Sequence, residues 1–290
     1  MSASSERPER PAHEGYVIDA ESAAEMARLM RQDQALTQSM GGLFPEKPDL
    51  TNVNRVIDLA CGPGGWVLET AFAYGDVEVV GVDISKRMIT YAEAQAQVQK
   101  RTNATFQVAN ILQPLPFPDA SFDLVNARLI VGFMKAADWP ALLRECLRIL
   151  RPGGILRMTD FEQGFSNKQH FEQASRILNQ VMHRHGYGFS PNGYHMGILP
   201  VLPHLFREAG VSKVEKMAHF IEFSTGTDLH ETFYHDHASG YFGVTPVIEK
   251  SGIMAAADWQ ALYQRGLAEM FEADFCGAWM LLTVWGYKPA

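Results

Sequence analysis

The sequence predicts an α/β fold built on a doubly wound parallel sheet, and three features predict it. From Arg55 onward, short apolar runs alternate with stretches of helical periodicity. The first run, "VIDLACGPGG", leads into a glycine turn and then a helix, and the chain closes on a long apolar segment. Strands separated by helices imply parallel pairing with helices on both faces, because a parallel crossover needs a dozen or more residues.

Taken in order, residues 1–14 are polar, bear proline and lack periodicity, so they read as a disordered tail. Residues 15–50 read as a helical lid. Asp19 to Met40 carries Met26, Leu29 and Met30 at helical spacing, and "GGLFPEKPD" then breaks it. Within residues 51–162, strands are expected at "RVIDLAC", "VEVVGVDI", "ATFQVANI", "FDLVNARLIV" and "ILRMTDF". Helices are expected at "GWVLETAFAY", "SKRMITYAEAQAQVQK" and "DWPALLRECLRIL". Ser85 suits the N-cap of the second of these, and Lys100 and Arg101 suit its C-terminal dipole. Residues 163–277, about 115 of them and rich in His, Phe, Tyr and Met, exceed any short connection. They are expected to form a mostly helical cap with a sixth strand near Val214 to Phe223, and residues 278–290 a C-terminal strand completing the sheet.

Composition bounds the class. A chain of 290 residues with 47% hydrophobic content can bury a substantial core. No run approaches the ~20 apolar residues of a membrane span, so a protein without such a span is expected. Three distant cysteines, Cys61, Cys146 and Cys276, give no disulfide framework and suit a reducing cytoplasm. A net charge of -8 argues against a nucleic-acid partner. Oligomeric state is not encoded in any of these features.

The glycine turn carries the first chemistry. Gly62, Gly64 and Gly65 let a ligand approach the backbone, and the following helix offers unpaired N–H groups to an anion. Asp83 ends the second strand, 25 residues after Asp58, where a carboxylate in this fold bonds ribose hydroxyls. Asp58 sits in a segment too apolar for a charge without a partner. The dinucleotide fingerprint is not met, because Val67 stands where its third glycine belongs.

"VIDLACGPGG", "VVGVDISKRMITYAEAQA", "QVANILQPLPFPDASFDLV" and "LLRECLRILRPGGILRMTDFE" together resemble class I S-adenosylmethionine-dependent methyltransferases, in particular the small-molecule branch related to ubiquinone biosynthesis. The resemblance covers roughly residues 53 to 162. It implies a Rossmann-like seven-stranded sheet with an antiparallel last strand, and S-adenosylmethionine across the C-terminal strand edge. By the same resemblance, Asp58, Ala60, Gly62 and Gly64 frame the methionine part, Asp83 the ribose, and Ile84 and Met88 the adenine. Asn110 and Ile111 stand where the family has an Asp and a small apolar residue at the adenine edge. Trp66 replaces the third glycine of the family's usual loop. Ala127 and Arg128 fall beside the methionine moiety, where Arg128 either pairs with its carboxylate or forms a salt bridge to a protein acid.

Methyl transfer from a sulfonium needs alignment and exclusion of water, and a base only if the acceptor must lose a proton. His195, His170 and Asp160 are the candidates for that base, and no metal is expected. His235 and His237 share a face only in a strand, whereas "HETFYHDHASGYF" looks helical. Tyr16, Phe233, Tyr234 and His235 are the candidate substrate contacts. The wider aromatic set, with Phe220, Phe223, Tyr241 and Phe242, points to a cap for an apolar or aromatic small molecule. The leading reading is a methyltransferase acting on such a molecule. Its rivals are an S-adenosylmethionine-binding protein with a non-methylating or regulatory role, and a nicotinamide-dependent oxidoreductase.

Overall fold

The computed structural model describes residues 23–290. The expected tail and Tyr16 lie outside the described residues. Helix α1 (Ala23–Ser39) leads into β1 (Arg55–Leu59), α2 (Gly65–Ala73), β2 (Glu78–Asp83), α3 (Lys86–Val98) and β3 (Ala104–Val108). Next come β4 (Phe122–Arg128), α4 (Trp139–Ile149) and β5 (Leu150–Phe161). The remainder comprises β6 (Phe165–Ser166), α5 (Gln169–Arg184), α6 (Ile198–Glu208), β7 (Ser212–Glu222), α7 (His230–Gly243), α8 (Thr245–Ser251), α9 (Ala256–Glu269) and β8 (Gly277–Tyr287).

The sheet runs β3-β2-β1-β4-β5-β8-β6, with β7 also on β8. Strands β1 to β5 pair in parallel, while β8 is antiparallel to β5, β6 and β7. The sheet has eight strands rather than seven. Strand β8 outruns β5, and its Gly277 and Ala278 take up Phe165 and Ser166 as a two-residue extra strand. β5 also starts five residues before the expected "ILRMTDF", with a register shift opposite Phe122 and Leu124. Ser85 caps α3 as expected, its Oγ accepting from the Met88 N–H at 3.2 Å. Helix α3 ends at Val98, so Lys100 and Arg101 fall just beyond it, Lys100 in a left-handed conformation at φ 54°.

Successive strand residues feed opposite layers, as the two-residue strand period requires. Val56, Leu124 and Ile155 pack with α2 and α3, whereas Ile57, Val125 and Leu156 pack with α4 and α6. Helix α6, within the expected cap, therefore belongs to the sheet's own layers. A third cluster joins α1, α5, α7, α8 and α9 to the ends of β7 and β8 through Phe171, Phe223, Phe233, Trp259 and Trp279. That cluster is the cap.

One rung of the sheet is polar. Asp58 pairs in register with Asn126, and Asn126 with Arg157. Asn126 Nδ2 donates to Asp58 at 2.7 Å, Arg157 donates to Asn126 Oδ1 at 2.7 Å, and Arg157 also ion-pairs with Glu46 from the loop after α1. The Arg157 and Glu46 side chains are both 0% exposed. Removing one partner of such a pair leaves the other charge buried alone, which costs about 3–5 kcal/mol. Glu46→Ala is therefore expected to lower unfolding free energy by that amount in urea titration, and a loss below about 1 kcal/mol, the range of exposed pairs, would contradict it.

Candidate functional site

The site begins where β1 and β4 end. Ala60 and Leu129 follow these strands in left-handed conformations, φ 56° and 58°, which cost a non-glycine residue roughly 1–2 kcal/mol. Gly62 (φ 53°) and Gly64 (φ 85°) complete the turn, for different reasons. A Cβ on Gly62 would meet nothing within 4 Å, so its face is open, whereas one on Gly64 would strike Phe106 and Ala92. Trp66 points away into the core, edge-on to Phe44 at 5.6 Å, so replacing a loop glycine with it leaves the turn's open face clear.

Asp83 at the end of β2 holds the turn. Its two carboxylate oxygens accept from the Gly62 N–H at 2.9 Å and the Ser85 N–H at 2.8 Å. A carboxylate has about four acceptor positions, so these bonds are compatible with hydroxyl donors from a ligand. Beyond it lies a cavity of about 290 Å³, at the lower end of ligand sites. Of the residues assigned to the cofactor by resemblance, Asp58, Ala60, Gly62, Asp83, Ile84 and Met88 border this cavity. So do Asn110, Ile111 and Arg128, while Gly64 and Ala127 lie behind its wall. Asn110 Oδ1 accepts from the Leu112 N–H at 2.9 Å, closing the turn after β3.

The roof is α1. Arg128 ion-pairs with Asp33 and donates to Thr37 Oγ1 at 2.9 Å, so the structure holds Arg128 in a protein salt bridge. Asp33 also lies against Gly65, the first residue of α2. Arg28 joins Glu25 and Asp236, each at 2.6 Å, and Gln32 donates to Asp236 at 3.0 Å, tying α1 to α7 of the cap. Arg28, Gln32, Asp33 and Asp236 all border the cavity and were not singled out from sequence. Polar residues along a helix read as a solvated face unless the partner element is known.

The structure does not bring His195, His170 and Asp160 together. His195 is exposed and borders a second cavity with Tyr194, Glu162 and Arg176. His170 Nδ1 is 2.6 Å from Glu269, whose carboxylate also accepts the His170 and Phe171 N–H groups at the start of α5. Asp160 is fully buried, accepts from the Val131 N–H at 3.2 Å, and does not border the main cavity. Phe233 is stacked on Phe223 at 4.8 Å behind the wall, and Tyr234 packs on Phe271. His235 is exposed, 3.8 Å from Glu231, and Phe220 and Phe242 are exposed too, so neither of those rings lines a cap. The cavity face of α7 is instead Asp236, His237, Gly240 and Tyr241, with Val244 just past its end, at spacings of one, three, one and three. His235 and His237 point to different sides of this helix. Among the described residues no group of three or more His, Cys, Asp or Glu converges as a metal site, and no helix is long and apolar enough to cross a membrane.

Comparison with known proteins adds an independent finding. A family profile for the methyltransferase domain matches residues 56–154. The chain is 34% identical over 150 residues to 27-O-demethylrifamycin SV methyltransferase of Amycolatopsis mediterranei, covering 51% of this chain and 50% of that one. It is 30% identical over 183 residues to demethylmenaquinone methyltransferase of Lactococcus lactis, covering 59% of this chain and 70% of that one. The fold matches phosphoethanolamine N-methyltransferase 2 of Haemonchus contortus, solved with phosphomonomethylethanolamine and S-adenosylhomocysteine, with a TM-score of 0.56 at 17% identity. That match covers 93% of this chain and 58% of the other.

Two buried acids carry shifted protonation. Burial pushes the Asp58 carboxyl up to about 7, against the pull of Asn126 and Arg157. Burial likewise pushes Asp160 up to about 8, outweighing the N–H groups it accepts. A carboxyl that holds its proton more tightly folded than unfolded stabilises the fold fully below about pH 4, and that contribution fades as pH rises toward the folded value. In Asp160→Asn this dependence is gone. The stability of the unsubstituted protein relative to Asp160→Asn is expected to fall by about 1.4 kcal/mol per pH unit between pH 5 and 7, read from denaturant titrations. A pH-independent difference would contradict the buried, protonated carboxyl.

Proposed function

The chain belongs to the class I S-adenosylmethionine-dependent methyltransferases, and from that premise we propose that it moves a methyl group to a small apolar or aromatic metabolite held beneath the helical cap. The observation that supports this most is that one cavity is shared by the glycine turn with Asp83 on one side and by Tyr241 and Trp279 of the cap on the other. Residues 51–162 then serve the cofactor, 163–277 together with Trp279 of β8 chiefly the acceptor, and α1 the roof. A reducing cytoplasmic setting suits the three unpaired cysteines.

The residues present fit S-adenosylmethionine. Gly62 leaves its face open, Asp83 presents carboxylate oxygens for vicinal hydroxyls, and Ile84, Met88 and Ile111 give apolar sides for a purine. Arg128 and the start of α2 are positive features beside the glycine turn suited to a carboxylate, and Asp33 stands at both. Val67, fully buried where a dinucleotide site requires glycine, weighs against a nicotinamide cofactor.

When bound, S-adenosylmethionine supplies a methyl group already activated by its sulfonium. The chain's own residues then have two tasks, alignment and exclusion of water. Aromatic walls position the acceptor, and α1, clamped to α7 through Arg28 and Asp236, covers one side of the cavity and limits its contact with solvent.

Calorimetric titration tests the reading. S-adenosylmethionine is expected to bind more tightly than NAD. Asp83→Ala should weaken it by about 1.5–3 kcal/mol per hydrogen bond lost, about one to two orders of magnitude. The same substitution releases the Gly62 and Ser85 N–H groups, so retained circular dichroism must accompany the titration. Unchanged affinity in a folded Asp83→Ala would sink the ribose assignment, and tighter NAD binding would overturn the cofactor.

A further inference from the structure

Within that proposed methyl-transfer reading, on which this inference rests, we propose that His237 is the base and Trp279 the hydrogen-bond donor for one acceptor oxygen, so that the substrate is a hydroxyl-bearing apolar molecule and the product its methyl ether. Both rings border the cavity that holds the glycine turn. His237 Nδ1 is 2.7 Å from the Phe233 carbonyl one helical turn earlier. A carbonyl only accepts, so Nδ1 carries the hydrogen and Nε2 is left as a lone-pair acceptor. Nε2 has no hydrogen-bond partner among the described residues, although His237 is 6% exposed. Trp279 Nε1, a donor only, is buried and likewise unpartnered.

The two nitrogens lie near each other against Gly164, the neighbour of the cavity-lining Gln163. A Cβ on Gly164 would lie 2.6 Å from Trp279 Nε1 and 3.2 Å from His237 Nε2. Trp279 Nε1 is the buried member of the pair and is costly unless something satisfies it, while His237 Nε2 stands beside it as an unpartnered acceptor. The chemistry of the pair selects the ligand atom. A hydroxyl oxygen gives its hydrogen to Nε2, accepts from the indole N–H on one lone pair, and keeps a second lone pair for bond formation. An amine nitrogen that donates to Nε2 and forms a bond with its only lone pair has none left for the indole, and a carbon acceptor has none at all. The surrounding Phe161, Leu178, Met182 and Tyr241 are apolar or aromatic, which sets the rest of the molecule.

The step balances without a further reactant. The acceptor's O–H proton passes to His237 Nε2, and the oxygen's electron pair forms the new bond to the methyl carbon. The carbon–sulfur bonding pair leaves with the sulfur, which becomes a neutral thioether. The imidazolium afterwards returns its proton to solvent. Charged and titratable neighbours are few. On α7 they are Asp236 and Tyr241; on α1, Arg28 with its partner Glu25. From α5 the ring contact is Phe171, Glu172 being turned to the Ser166 N–H, and β7 and β8 present Phe223 and Trp279. Burial holds the imidazole below its ordinary value, with Asp236 opposing and Arg28 assisting, so the neutral base persists at neutral pH.

The test uses the full chain, methyl-labelled S-adenosylmethionine and a metabolite pool, with the labelled product identified by carbon NMR. An O-methyl product is expected. His237→Asn, which can still donate to the Phe233 carbonyl, should lower turnover on the order of a hundredfold or more, the scale of general-base catalysis, while S-adenosylmethionine affinity by calorimetry stays unchanged. The rate of the unsubstituted protein should rise with pH through a value below that of an ordinary histidine, and this limb should vanish in His237→Asn. Trp279→Phe should cost about two- to tenfold. Nitrogen NMR of the protein without acceptor should show His237 protonated at Nδ1 alone. An N- or C-methyl product, full turnover in His237→Asn, or an Nε2-protonated ring would each overturn the inference while leaving methyl transfer intact. No labelled product from the unsubstituted protein, under conditions where it binds the labelled donor, would overturn the underlying reading and this inference with it.

Discussion

The structure depends on a polar rung laid across three buried strands. Asp58, Asn126 and Arg157 sit side by side in register on β1, β4 and β5, and Glu46 closes the row from the loop after α1. Each of these groups alone would be costly in a sheet core, and together they satisfy one another. The rung ends at the cavity with Asp58, so the same hydrogen-bond chain that locks three strands also fixes the floor beneath the glycine turn. It further anchors the segment that carries α1 over the site, through Glu46 and through Phe44, whose ring lies 5.5 Å from the Arg157 guanidinium.

From that floor the site is built by strain and by clamps. Two non-glycine residues, Ala60 and Leu129, adopt left-handed conformations at adjacent strand ends, and both face the cavity. Such conformations persist where surrounding structure over-determines them, and here the paired strands do so. Above, α1 is held by two separate ion pairs, Arg128 with Asp33 over the turn and Arg28 with Asp236 over the cap. The roof therefore couples the glycine-turn end of the cavity to the end formed by the cap.

Much of this was legible in the sequence, and the reasons for the rest are physical. The strand and helix order follows from periodicity, and Asp58 stands out because a charge in an apolar run demands a partner. Asn126 and Arg157 carry the same signal, isolated polar residues in "FDLVNARLIV" and "ILRMTDF", yet strand register is needed to see that they are one row. The extra strand Phe165–Ser166 is too short to show a period. On α7 the helical state was legible and its rotational phase was not. Aromatic and histidine residues occupy every side of "HETFYHDHASGYF", so no apolar stripe tells Tyr234 and His235, which face outward, from His237 and Tyr241, which face the cavity. Position along the chain favours His195 and His170, whereas the fold turns one to a separate cavity and gives the other to Glu269.

One cavity is proposed to join a nucleoside site at Asp83 to an acceptor site at His237 and Trp279. A crystal structure of the chain with S-adenosylhomocysteine tests it most directly. Both ribose hydroxyls are expected on the Asp83 carboxylate, adenine between Ile84 and Met88, and the thioether sulfur facing the space beside His237 and Trp279. A nucleoside bound elsewhere, or a sulfur walled off from the cap by α1, would contradict it.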